Sequence, residues 1–375
     1  MHRLLPRPPA SRLGSLILAA SALLVALPAP AGAWTLVQET PAPVAAVPTS
    51  EDAAVTLSVA AQRNLAVPAL VMPAGLPARR PLAMGVSRIE GYTASPDDDL
   101  AALDAFTRRT GESPASWSIW SDWGGPNAGF PARRLLDGLH RRGVQPVIFW
   151  QPTNPVTSID PGRYAYARIA AGDWDGYLRS WAKDAHAYGR RILVRWAHEM
   201  NAPWFPWAIG KNGNTPATYK AAWRHIVTTV QRIAPNVRFM WAPNEPCGRC
   251  VPYAKMFPGD RYVNVVGFSA YNWTGKASRT MLQQYGRSIR ALREVSNRGI
   301  VAAETGIAGP NRDRIRWIVQ GYPQVYARFP RLRGVIYFDV DMRFAGHPAW
   351  NLTSRDGSLL GYREVIADPR FQGGL

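Results

Sequence analysis

From residue 82 onward, short apolar runs of strand length alternate eight times with amphipathic helical stripes. The runs are residues 82–86, 115–120, 145–150, 191–197, 237–242, 263–268, 300–304 and 334–339. Between them lie apolar faces at helical spacing, such as Leu100, Leu103 and Phe106, or Trp174, Tyr177, Leu178, Trp181 and Ala185. Pro131 and the pair Thr215-Pro216 read as helix starts, and Gly143 and Gly189 as helix stops. Alternation of this kind demands a parallel sheet, because each helix carries the chain back to the same end. Eight repeats predict a closed (β/α)8 barrel. The competitor is an open doubly wound sheet. No glycine-rich phosphate loop follows the first strand, which counts against it.

A barrel keeps its chemistry at the C-terminal ends of its strands. Unusual residues crowd those ends: Trp120-Ser121-Asp122-Trp123, Trp150-Gln151, His198-Glu199, Trp241-Ala242-Pro243-Asn244, Tyr271-Asn272-Trp273 and Glu304. Six rim segments of this kind read as partly exposed aromatic platforms rather than as core. Residues 195–201, Arg-Trp-Ala-His-Glu-Met-Asn, put a carboxylate beside an imidazole, in a loop that continues into Trp204-Phe205-Pro206-Trp207. Flat apolar faces beside a carboxyl group suit a sugar.

The carboxylates at strand ends are Asp122, Glu199, Glu245, Glu304, Asp339 and Asp341. Glu199 and Glu304 close strands four and seven, so they face each other across part of the mouth. Cleaving a glycosidic bond takes one carboxyl that keeps its proton and one that is ionised, about 5–5.5 Å apart when configuration is retained. Glu245 is the rival. Asn244-Glu245-Pro246 looks like the acid/base signature of many barrel glycosidases, but there it ends strand four and here it ends strand five. It is read as a loop carboxylate. Asp339 and Asp341 are expected to orient neighbours or face solvent.

Residues 1–33 read as a signal peptide: Arg3, Arg7 and Arg12, an apolar stretch over 16–27, then Ala31-Gly32-Ala33. Residues 34–80, rich in Pro, Ala and Val, read as a linker or N-terminal extension, and 81–375 as the barrel. The formal net charge is +18, carried by scattered arginines. No dense basic run interleaves with aromatics as a nucleic-acid groove requires, so a solvated surface attractive to acidic polymers is the expectation. Cys247 and Cys250 are the only cysteines. Cys-x-x-Cys serves redox chemistry, half a zinc site or a short structural disulfide. With no second cysteine pair and no nearby histidine, a disulfide in an exported protein is expected.

The chain resembles glycoside hydrolase family 26. The resemblance is carried by His198-Glu199-Met200-Asn201, Trp204, Pro206-Trp207, Asn212-Gly213-Asn214-Thr215-Pro216, Trp241-Ala242-Pro243-Asn244, Phe257-Pro258-Gly259-Asp260, Gly267-Phe268-Ser269-Ala270-Tyr271-Asn272 and Ala303-Glu304-Thr305-Gly306. It covers most of residues 82–350. The family implies a retaining barrel enzyme, chiefly an endo-β-mannanase, with β-1,3-xylanases and mixed-linkage β-glucanases as variants; an exopolysaccharide hydrolase and a non-catalytic carbohydrate-binding barrel are the alternatives. By resemblance Glu199 is the acid/base and Glu304 the nucleophile. His198 contacts the sugar, Tyr271 holds the nucleophile, and Trp204 stacks by the cleaved bond. Asn201, Trp207, Trp150, Trp241 and Trp273 complete the expected substrate-binding set. Ala202 and the Glu245-Pro246-Cys247 segment depart from the family pattern. No metal or cofactor is required. The expected partner is a polysaccharide, with no nucleic acid, no stable membrane insertion after signal cleavage, and a secreted monomer.

Overall fold

The computed structural model describes residues 68–76, 78–88, 95–155, 161–309, 312–353 and 357–375. The expected signal peptide and the expected linker as far as residue 67 lie outside the described residues. Eight strands form a closed parallel barrel in chain order: β1 (Ala83–Ser87), β2 (Ser116–Asp122), β3 (Gln145–Gln151), β4 (Ile192–Trp196), β5 (Val237–Trp241), β6 (Val265–Asn272), β7 (Ile300–Ile307) and β8 (Leu332–Phe338), which pairs with β1. Among the described residues the helices are α1 (Pro96–Thr110), α2 (Arg133–Arg141), α3 (Tyr166–Ala170), α4 (Asp175–Tyr188), α5 (Pro216–Ile233), α6 (Tyr253–Met256), α7 (Met281–Val295), α8 (Asp313–Arg328) and α9 (Ser358–Ile366). The architecture is the (β/α)8 barrel that the alternation predicts.

Local chemistry sets the helix ends. Ser95, Thr215 and Thr280 each cap a helix through their hydroxyl, and the side chain three residues on returns a bond to the cap. Gly189 ends α4 at φ 75°, a left-handed stop that suits a residue without Cβ.

Two cores follow from the two faces of the sheet. Val147, Phe149, Leu193, Met240, Val301 and Ile336 fill the barrel. Ile148, Trp150, Val194, Trp196, Phe239 and Trp241 point the other way, into the layer between sheet and helices. Strand period 2 dictates this division. At the bottom, Leu82 N–H donates to the Arg370 carbonyl (2.7 Å) and Gly373 N–H to the Leu82 carbonyl (3.1 Å), while Leu375 packs against the inner core. Leu70, Met72 and Leu76, within the expected linker, pack on the outer core. Arg79 lies 4.1 Å from the Tyr326 ring centre and donates to the Leu332 carbonyl at 3.0 Å. No helix among the described residues is long and apolar enough to cross a membrane.

Candidate active site

The site begins in β4. Inward positions of this strand are Leu193 and Arg195; Val194 and Trp196 face the helices. Arg195 is thus a fully buried cation inside the barrel, and such a charge needs a partner. It donates to Glu304 Oε2 at 2.6 Å and to Ser269 Oγ at 2.5 Å, and its guanidinium lies 4.6 Å from the Phe149 ring centre. Just beyond β4 the backbone turns sharply. Ala197 and Glu199 hold φ of 45° and 53°, a left-handed region that costs residues with a Cβ about 1–2 kcal/mol each. Fixed bonds maintain the turn: Ala197 N–H to the Trp150 carbonyl (3.0 Å) and Glu199 N–H to the Ala242 carbonyl (3.1 Å).

Glu304 reaches the mouth by a different device. Phe268 pairs with Ala302, but Ser269 pairs with Glu304, so one extra residue, Ala303, is inserted in β7. The pairing with β8 shifts in the same place. Strict alternation after Val301 and Ala303 would send Glu304 outward. The bulge resets the alternation and turns it inward.

Glu199 and Glu304 are 7% and 3% exposed and interact across the mouth, both meeting the Ser269 hydroxyl. Burial first, then the Glu304 charge, push Glu199 up to about 7, against Arg195 and bonds from Ser269 and Trp204. Trp204 Nε1 donates to Glu199 Oε2 at 2.8 Å. Burial also raises Glu304, but Arg195 in direct contact, Ser269 and Tyr271 oppose it. Of the pair, Glu304 is the one in contact with a cation, which favours its ionised form, while Glu199 has no cation in contact among the described residues. His198 is held well below the ordinary imidazole range by burial and then by Arg195, so its ring is neutral. Trp120 and Phe205 meet that ring at 5.6 and 4.6 Å.

These residues open into a cavity of about 760 Å³. Of the substrate-binding set read from the sequence, His198, Trp204, Tyr271 and Trp273 line it beside the two glutamates. Four others do not. Trp150 lies on the outer face of β3, stacks on Trp181 at 4.6 Å and donates to the Tyr177 hydroxyl at 3.0 Å. Trp241 packs edge-on against Tyr253 and Phe257 behind β5. Asn201 is buried and exchanges bonds with the Asn244 backbone, clamping the β4 loop to the end of β5. Trp207 stacks on Phe205 at 4.6 Å and donates to the His198 carbonyl at 2.8 Å, supporting the loop from beneath. The expectation of exposed platforms fails for Trp150 and Trp241 because strand alternation points them out of the barrel, and for Trp123, which is buried against Trp150 and Trp196.

Trp120 and Phe205, marked in the sequence as rim aromatics but outside the expected binding set, also line the wall, together with Met342, His347 and Trp350, which sequence reasoning missed. Trp120 shares the inward parity of Ser118 and Asp122, a signal legible in β2. Trp350 meets Trp273 at 4.6 Å and Tyr271 at 4.9 Å; nothing local marks it. Glu245, read as a loop carboxylate, lies in the cavity wall, bonded to Arg279 at 2.8 Å. Asp122 is buried under Gln151. Asp339 is buried against Arg88, Arg109 and the Leu352 N–H, and so orients neighbours. Asp341 pairs with Arg343. Cys247 and Cys250 are disulfide-bonded, with Cα atoms 5.0 Å apart.

Fold and site together define a (β/α)8 barrel of the glycoside hydrolase kind: a buried carboxylate pair in unequal environments under aromatic walls. Within that class, the sequence model of glycosyl hydrolase family 26 matches residues 174–318, from the start of α4 into α8, with both glutamates inside. Endoglucanase H of Acetivibrio thermocellus is 30% identical over 260 residues, covering 67% of this chain. The chain spans 26% of that protein's length. A GH26 β-mannanase from Bacteroides ovatus superposes with a TM-score of 0.58 at 16% identity, over 79% of this chain and 91% of that one. A modular endo-β-1,4-mannanase from Cellulomonas fimi gives 0.58 at 17% identity, over 78% and 72%. At such identities these two structures speak for the fold.

Proposed function

We propose that the protein is a secreted retaining endo-glycosidase that hydrolyses a β-linked polysaccharide, with β-1,4-mannan the first substrate to test. One observation carries the mechanism: in a single buried pair, Glu304 is bound to a guanidinium at 2.6 Å while Glu199 is raised to about 7. Ionised Glu304 attacks the anomeric carbon as Glu199 gives its proton to the leaving oxygen. The glycosidic bond breaks and a glycosyl ester forms on Glu304. Glu199, now ionised, takes a proton from water, the water oxygen attacks the anomeric carbon, and the ester bond breaks to restore Glu304. The shared Ser269 hydroxyl supports the short separation this route needs. Trp204 keeps Glu199 in place, and the walls supply apolar faces for sugar rings. The enzyme works as a monomer.

A second reading, β-glucan as substrate, is favoured by the name of the sequence relative, an endoglucanase. The test is turnover on mannan, mixed-linkage glucan and β-1,3-xylan by wild type and Glu304→Ala. We expect the variant to lose hydrolysis yet still bind oligosaccharide. Azide should restore cleavage of an activated β-glycoside and yield the α-glycosyl azide. Recovery of the opposite anomer, or full activity in the variant, removes Glu304 as nucleophile.

A further inference from the structure

Apart from the carboxylate pair, the charged groups of the cavity gather on one wall. Arg249 sits on the turn after β5, Arg279 in the segment leading into α7, and Arg287 in the second turn of α7. A single carboxylate, Glu245, stands among them. Arg279 donates to it at 2.8 Å and also to the Tyr271 carbonyl at 3.2 Å, and Arg287 attracts it through space. No ion pair among the described residues engages Arg249 or Arg287, and both are exposed to the cavity. Three cations against one anion leave an excess of two positive charges on this wall.

The wall is also held in place. Glu245 N–H donates to the Ser269 carbonyl at 2.8 Å and Val251 N–H to the Asn201 carbonyl at 2.9 Å, and the Cys247–Cys250 bond closes the turn between them. Trp273, 39% exposed, offers a ring face in the same cavity. Arginine on the outer helices disperses its charge into solvent. Arginines converging in a concave, partly apolar wall concentrate it, and their forked donors match a carboxylate.

We infer that the wall formed by Arg249, Arg279 and Arg287 is a subsite for a sugar unit carrying a carboxylate, so that the polysaccharide accepted here is an acidic one. This deepens the glycosidase reading and rests on it. Two matched pairs of oligosaccharides test it: β-1,4-mannopentaose and β-1,4-glucopentaose, each neutral and each with internal C6 groups oxidised to carboxylates. Binding is measured by calorimetry on the Glu304→Ala protein at low and high salt. On at least one backbone the oxidised form should bind about tenfold more tightly at low salt, and the gain should shrink as salt screens it. Adding Arg249→Ala and Arg287→Ala should bring the ratio near one, with a thermal melt confirming the fold. Equal or weaker binding of both oxidised forms, or a gain that survives the double substitution, overturns the proposal. Failure of the glycosidase reading shows separately, as wild-type protein that cleaves neither neutral nor oxidised polymer whatever the binding ratio.

Discussion

Arg195 is the residue on which the proposed division of labour turns. Its charge is buried and spent on Glu304 and Ser269, which keeps one carboxyl of the pair ionised while the other holds its proton. Activity should therefore follow a bell. The alkaline limb falls as Glu199 loses its proton near 7, the acid limb as Glu304 gains one, both being properties of the pair. In Arg195→Met, Glu304 loses its cation and rises further. The acid limb should move toward neutrality and kcat/KM should drop by about 10²–10³; an unmoved limb in a pH–rate series would show that Arg195 does not hold Glu304 ionised. Glu199 also carries a stability consequence. Its folded value, about 7, lies above the ordinary 4.5. Between these values the folded chain binds more protons than the unfolded one, so this group lowers stability as pH rises through the window. Glu199→Gln should melt roughly 2–5 °C above wild type near pH 8, with the difference vanishing near pH 4.5. The sequence made both glutamates legible through their strand ends. Arg195 was legible too, as a cation at an inward position of an apolar strand, but only once strand parity was applied.

At the scale of elements, all eight strands appear in the order and places that periodicity predicts, within a few residues. β6 and β7 run further than their apolar stretches because polar residues at the mouth, Ser269, Asn272 and Thr305, still hold sheet pairing. What alternation cannot foresee is its own interruption. The extra residue at Ala303 leaves no mark in composition, yet it decides which way Glu304 points. Parity likewise separates the indoles. Trp150→Ala should cost about 3–5 kcal/mol of stability by opening a cavity behind β3. Trp273→Ala, at an exposed position, should leave the melting temperature within a degree or so and raise KM. Melting curves beside kinetics of both variants check this, and a raised KM with an unchanged melt for Trp150→Ala would return that ring to the substrate.

For the molecule as a whole, the barrel depends on closure between its first and last strands and on the segment beneath them. Gly373 lies so close to the Pro81 carbonyl oxygen that a Cβ could not be accommodated without backbone movement. Gly373→Ala should cost about 1–3 kcal/mol, read as a lower denaturant midpoint, while kcat/KM at saturating fold stays at the wild-type value because the mouth is at the opposite end. A midpoint unchanged from wild type would show that the bottom segment does not hold the barrel shut. The packed indoles of one sector have an optical consequence. Trp123, Trp150, Trp181 and Trp196 lie in a chain of contacts, with successive ring centres 4.6 to 6.2 Å apart, close enough for their transitions to couple. Near-ultraviolet circular dichroism of this protein should be dominated by that coupled set and so report the assembly of β2, β3, β4 and α4. Trp204 and Trp273, outside that set and lining the cleft, would instead dominate any change in emission when a sugar arrives. A single chain would thus carry two separate optical signals, one for folding and one for ligand.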